Sequence, residues 1–176
     1  MRGLGSMVSR FYWLIDGQLA GCARPGGHRS GLDEAGGGSE TGAAAALERD
    51  IAWLHRQGIR AVLSLTETPL PNDVLERHGM DVLHIPVPDL QPPTPEGLLR
   101  ALGFIDRQRS MSRPVAVHCL AGQGRTGTVL AAYRIRAGAS PQQALCEVRE
   151  ICPGAVSAQV QERALETFAA RRDWIL

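Results

Sequence analysis

The chain contains no lysine. All 19 of its basic residues are arginine, so any cationic grip on an anion must come from the planar guanidinium fork rather than from an ammonium group. Neither sign of charge is in excess. Nineteen basic residues against 18 acidic ones give a net charge of +1, so no bulk field selects nucleic acid or an anionic membrane surface as partner. The basic residues are scattered, and the one adjacent pair, Arg171-Arg172, reads as a solvated helix end. No apolar run approaches the ~20 residues that a membrane helix needs, and Met1–Ser6 is too short and polar for a secretory signal. The four cysteines, Cys22, Cys119, Cys146 and Cys152, have no C-x-x-C or other metal-ligand spacing, so neither a metal nor another cofactor is expected. A chain of 176 residues with so few cysteines needs no disulfide staples. Its 44% hydrophobic and 21% charged composition is ordinary for one soluble domain with a single sizeable core, and residues 1–176 are read as that domain.

What is there centres on His118-Cys119-Leu120-Ala121-Gly122-Gln123-Gly124-Arg125-Thr126-Gly127. The apolar run Pro114–Val117 before it reads as a buried strand, and Thr128–Tyr133 after it reads as a helix. A cysteine therefore ends a strand, five residues form a tight loop, and an arginine opens a helix. Successive N–H groups in such a loop form an anion-binding nest, and the helix N-terminus adds unpaired donors and partial positive charge. Arg125 adds a fork that grips two phosphate oxygens at once. A thiol at the bottom of that cradle is expected to ionise more readily than usual, and a thiolate beneath a bound phosphate is a nucleophile aimed at phosphorus.

The pattern His-Cys-x-x-Gly-x-x-Arg-Thr-Gly resembles the loop of the cysteine-dependent protein tyrosine phosphatase superfamily. The stretches Trp13–Gly21, Leu63–Glu67, Ile85–Asp89 and Val160–Glu162 extend the resemblance to the small atypical dual-specificity phosphatases, over nearly all of the chain except residues 26–42. The resemblance implies a phosphatase whose free thiolate needs a reducing compartment, so a cytoplasmic protein is expected, acting as a monomer without a targeting module.

In chain order, Phe11–Ile15 and Leu19–Cys22 flank Asp16-Gly17, a hairpin signal, and read as two edge strands. The family likeness makes them an antiparallel edge of the main sheet, and the three aromatics 11–13 read as core packing. Residues 26–42 hold seven glycines in seventeen positions and read as a flexible loop. In the resembled family such a segment borders the site, so Arg24 just before it either meets substrate or faces water. Ala43–Gln57 is a predicted helix with Leu47, Ile51 and Leu54 inward. Strands follow at Arg60–Leu65 and Asp81–Ile85, with a short helix at Asn72–His78 between them. Glu67 follows the end of a strand, where open α/β sheets bind ligands; it either shapes the pocket or caps or pairs locally. Thr94-Pro95 starts a helix with Leu98, Leu102 and Ile105 inward. Helices over 125–137, from Ser140-Pro141 to near Cys152, and over 156–172 complete the chain. In the last of these, Val160, Ala164, Leu165 and Phe168 are expected in the core. Alternating strands and helices predict an α/β fold, a three-layer domain with a central, mainly parallel sheet covered on both faces.

Departure of an ester oxygen requires a proton. In the resembled family an aspartate on a loop about thirty residues before the cysteine supplies it; Asp89, in the proline-rich stretch 86–93, stands thirty before Cys119. The resemblance also implies that Thr126 donates to the sulfur as it leaves, that His118 orders the loop, and that Gln161 helps place water. The loop backbone from Leu120 through Ala121, Gly122, Gln123 and Gly124 to Arg125 would bind the phosphate. Leu120, Ala121 and Gln123 are uncharged, whereas phosphoinositide phosphatases of the superfamily usually carry basic residues there. A singly phosphorylated protein or peptide is therefore the expected substrate: phosphotyrosine, with phosphoserine and phosphothreonine beside it. The alternatives are a non-protein substrate, a phosphoinositide or an RNA 5′-triphosphate end, the latter disfavoured by the lack of a basic groove, and a phosphate-binding module with little turnover.

Overall fold

The computed structural model describes residues 8–27 and 40–171. Five four-residue strands form one sheet: β1 (Tyr12–Ile15), β2 (Leu19–Cys22), β3 (Ala61–Ser64), β4 (Asp81–His84) and β5 (Val115–His118). Their spatial order is β1-β2-β5-β3-β4. Every pairing is parallel except the β1–β2 hairpin. The helices are α1 (Glu40–Arg56), α2 (Asn72–Arg77), α3 (Pro95–Ser110), α4 (Gly124–Arg136), α5 (Pro141–Ile151) and α6 (Gln159–Ala170).

Successive strand residues point to opposite faces, which divides the core in two. Leu19, Ala61, Leu63, Val115 and Val117 pack with α3–α6, whereas Ala20, Val62 and Ala116 pack with Leu47, Ile51 and Leu54 of α1 and with Val74 and Leu75 of α2. This is the expected three-layer α/β domain. Local chemistry fixes the helix starts. Thr94 Oγ1 accepts from Gly97 N–H at 3.1 Å ahead of Pro95. Ser140 and Gln143 form a reciprocal capping box ahead of Pro141. Helix α4 is buried along almost its whole length, from Arg125 to Tyr133, because it is enclosed by the sheet on one side and by α3, α5 and α6 on the other.

Several expectations change. Only β1 is an edge strand of the predicted pair. β2 is buried throughout and pairs in parallel with β5, because a strand apolar on both faces gains more by entering the sheet than by lining it. Helix α1 begins at Glu40, three residues before the predicted start, and Gly26 and Gly27 lie in a turn; the remainder of the glycine-rich stretch, 28–39, lies outside the described residues. The last helix begins at Gln159 rather than 156, since Val156 has a φ of 53°, outside the helical range. Val160 faces outward, 41% exposed, and Gln161 faces inward, while Leu165 and Phe168 are buried as expected.

No helix among the described residues is long and apolar enough to cross a membrane. Leu130 of α4 is fully buried in the larger core. Leu130→Ala is expected to lower stability by about 2–5 kcal/mol, read in urea unfolding as a lower midpoint with an unchanged slope.

Candidate active site

Strand β5 lies between β2 and β3, and all three run parallel, so their carboxyl ends meet at one edge of the sheet. His118 is in register with Cys22 on one side and Ser64 on the other. Cys119 therefore leaves the sheet at its centre, where crossover connections on opposite sides open a crevice.

The loop that follows is shaped by what holds its carbonyls. A peptide unit is planar and trans, so a C=O and the next N–H point in opposite directions. The Cys119 carbonyl accepts from His118 Nδ1 at 3.2 Å, and the Leu120 carbonyl accepts from Arg24 N–H at 3.0 Å. The Gly122 carbonyl accepts from the Tyr12 hydroxyl at 2.8 Å and from Cys152 Sγ at 3.7 Å. The Gln123 carbonyl accepts from Gly127 N–H at 2.9 Å in the first turn of α4. Each bond ties a carbonyl to the scaffold and turns the following N–H to the concave side. The N–H groups of Leu120, Ala121, Gly122 and Gln123 donate to nothing among the described residues. Gly122 lies against the end of β2 with a φ of +74°; a Cβ there would stand 2.5 Å from the Cys22 carbonyl carbon, so only glycine fits.

Cys119, at the base, is buried, and so is Arg125. The guanidinium donates from Nη1 to the Val87 carbonyl at 2.9 Å, and Nη2 lies 2.9 Å from Asp89 Oδ1. The proline-rich stretch thus brings Asp89 and Arg125 together, with the Asp89 side chain mostly in solvent. Thr126 is fully buried, and its hydroxyl has no partner among the described residues. Gln161 is buried, donates from Nε2 to the Gln91 carbonyl at 3.3 Å, and lies 3.0 Å from where a Gly124 Cβ would be. It therefore touches both the Asp89-bearing loop and the cradle. Glu67 is exposed and makes neither a cap nor an ion pair among the described residues. Arg24 is half-buried and clamps Thr66 Oγ1 at 2.6 Å, the Thr68 carbonyl at 2.9 Å and the Pro69 carbonyl at 3.0 Å.

His118 is fully buried. Loss of hydration pushes its pKa down to about 3, partly opposed by the Cys119 carbonyl and reinforced by the charges of Arg24, His84 and Arg125. The ring is therefore neutral, and because it faces a carbonyl, Nδ1 carries the proton. Sequence reasoning missed the Tyr12 hydroxyl, the Arg24 backbone and Cys152. Tyr12 reads in sequence as one of three consecutive aromatics, and no local signal points to a partner 110 residues away.

Known proteins resemble this chain in sequence and fold. A family model described as polymorphic toxin system, DSP-PTPase phosphatase matches residues 36–139. Phosphatidylglycerophosphate phosphatase PTPMT1 of Arabidopsis thaliana is 30% identical over 124 residues, 68% of this chain and 37% of that one. Dual specificity protein phosphatase Mpk3 of Drosophila melanogaster is 37% identical over 110 residues, 59% of this chain and 26% of that one. The chain thus spans well under two thirds of these relatives' length. Among solved structures, Tk-PTP in its active form superposes with a TM-score of 0.75 at 31% identity, covering 92% of this chain and 97% of that one.

The neutral His118 makes stability depend on pH. Between about pH 3 and pH 6.5 the unfolded chain carries a proton on this ring that the folded chain lacks. Unfolding takes up that proton, so stability falls as pH falls through this window, at up to about 1.4 kcal/mol per pH unit. In urea unfolding, the stability of wild type minus that of His118→Gln is expected to shrink with that slope below about pH 6. A pH-independent difference would mean that the ring is not held neutral.

Proposed function

Since the chain belongs to the DSP-PTPase phosphatase family described for polymorphic toxin systems, we propose that it hydrolyses phosphomonoesters of proteins through a phosphocysteine at Cys119. The observation that carries this reading is the set of four unpaired loop N–H groups over a buried cysteine, beside a buried arginine. These donors and the Arg125 fork meet the three non-bridging oxygens of a phosphate, most strongly in the transition state, where charge is spread over them.

The steps follow from the neighbours. Cys119 sulfur attacks phosphorus in line; an S–P bond forms and the P–O ester bond breaks. Asp89, protonated, gives its proton to the leaving oxygen. Asp89 holds one arm of the Arg125 fork; an arriving phosphate takes that arm, and the released carboxylate takes up a proton from solvent before it turns to the ester oxygen. Water then attacks the phosphocysteine and Asp89 takes its proton. Gln161, which contacts both the Gly124 end of the cradle and the Gln91 carbonyl of the Asp89-bearing loop, is assigned the orienting of that water. The sulfur leaves as thiolate, and the unpartnered Thr126 hydroxyl is free to donate to it. His118 serves the loop by holding the Cys119 carbonyl, since a neutral buried ring is poorly suited to exchange protons with substrate.

The mouth of the site favours phosphotyrosine. The loop side chains Leu120, Ala121 and Gln123 bring no charge for a second phosphate. Leu120 is 59% exposed next to Cys119, and Leu90 is 62% exposed next to Asp89, held in a left-handed conformation at a φ of 59°. An aryl ring on the ester oxygen would cover both. The second reading is a phospholipid monoester, favoured by the plant relative named for phosphatidylglycerophosphate; the same two leucines would then meet a lipid surface.

Cys119→Ser is expected to abolish turnover of p-nitrophenyl phosphate while leaving the circular dichroism spectrum unchanged; surviving turnover would remove the phosphocysteine from the mechanism. Asp89→Asn is expected to slow hydrolysis by about 10²–10⁴-fold, with the largest losses for alkyl esters, whose oxygen leaves poorly without a proton. Equal losses for all leaving groups would place the acid elsewhere. A panel of phosphotyrosine and phosphoserine peptides against vesicles containing phosphatidylglycerophosphate decides the substrate. The peptides are expected to give the higher kcat/KM, and preference for the vesicles would establish the lipid reading instead.

A further inference from the structure

We infer that Tyr12, far from the loop in sequence and outside the chemistry above, is a positioning residue that keeps the catalytic cradle open by holding the Gly122–Gln123 peptide. The inference rests on the reading of the Cys119 loop as a phosphate site and deepens it.

The geometry separates Tyr12 from the other restraints. The carbonyls of Leu120 and Gln123 are held by backbone N–H groups, and that of Cys119 by the adjoining His118. Gly122 alone depends on side chains delivered from distant elements. The Tyr12 bond is 2.8 Å and buried. The other donor, Cys152 Sγ at 3.7 Å, is a weak one. The restrained residue is also the one most able to move, because a glycine passes between left-handed and extended conformations at little cost. Rotation of that peptide would bring the Gly122 carbonyl into the cradle and take the Gln123 N–H out, replacing a donor with an acceptor that repels phosphate.

The sheet is built to allow the reach. Tyr12 is in register with Gly21, and its ring lies across that glycine; a Cβ on Gly21 would stand 2.4 Å from Tyr12 Cζ and 2.5 Å from its hydroxyl oxygen. Any side chain at position 21 would displace the ring. Burial pushes the phenol pKa far above its ordinary value, so the hydroxyl remains a donor at every working pH.

The test is Tyr12→Phe, which keeps the ring and removes the donor. Three quantities are read: kcat/KM for p-nitrophenyl phosphate, the inhibition constant of vanadate (a mimic of the five-coordinate transition state), and Tm. The expected result is a fall in kcat/KM and a rise in the vanadate constant by a common factor of about ten, the worth of one buried hydrogen bond, with a small change in Tm. A merely structural tyrosine would lower Tm and the active fraction but leave the vanadate constant where it was. That outcome, or both constants within about twofold of wild type, overturns the inference. Gly21→Ala keeps the hydroxyl but displaces the ring, and is expected to raise the vanadate constant likewise; it decides the question if the phenylalanine variant does not fold. Should wild type bind vanadate without turning over substrate, the hydrolytic reading fails while the vanadate comparison still decides the role of Tyr12. Should wild type bind no oxyanion, both fail.

Discussion

A concave loop lined with unpaired N–H groups is unfavourable by itself, because buried donors without acceptors are costly and the loop's own carbonyls are the nearest acceptors. The chain resolves this by engaging those carbonyls from outside. His118, Arg24, Tyr12 and Gly127 each hold one, and they come from β5, the end of β2, β1 and α4. The sheet order follows from the same need. Placing β5 between β2 and β3 is what lets the first hairpin and the last catalytic strand share the loop. An oxyanion site whose dipoles are already oriented loses nothing to reorganisation when charge develops on a substrate; if this loop is such a site, as proposed, that orientation is distributed over half the fold.

The absence of lysine has a structural counterpart. Several arginines act as brackets between backbone carbonyls. Arg24 joins Thr68 to Pro69, Arg60 joins His55 to Ile59, Arg113 joins Arg60 to Gly79 and Arg149 joins Ala155 to Val156. A planar fork with five fixed donors can meet two or three carbonyls at loop turns in a geometry that a single ammonium cannot reproduce. Arg125 follows the same pattern, with one arm on the Val87 carbonyl, which leaves the other arm in a defined direction for an anion.

The fold and the central loop were legible in the sequence for one reason: both are local. The apolar run before Cys119 and the Gly-x-Gly before Arg125 specify strand, loop and helix within about twenty residues, and the Thr94-Pro95 and Ser140-Pro141 starts are likewise short-range. Position along the sheet was less legible. An antiparallel hairpin looks the same whether its second strand is an edge or a neighbour of β5, because the deciding partner is remote in sequence. The same distance hid Tyr12 and made Arg24 look available, since neither Gly122 nor Thr66 lies near its partner in the chain. Val160 was misplaced for a different reason. Leu165 and Phe168 fall in the core as expected, but Val160 lies in the first turn of α6, where the helix has barely begun, and the left-handed Val156 just before it has no sequence signal of its own.

The ion pair between Asp89 and Arg125 gives the cradle a counterion of its own. A cradle of N–H dipoles and a guanidinium would otherwise project a positive field into solvent, but the carboxylate cancels much of it, and a net charge of +1 adds little. In the proposed mechanism, anion capture is an exchange of one oxygen ligand for another at short range rather than attraction from afar. That mechanism implies encounter rates in the unsteered range of about 10⁵–10⁶ M⁻¹s⁻¹ that vary little with ionic strength, and discrimination that rests on what happens after contact, when a group able to dislodge the carboxylate stays and one that cannot departs.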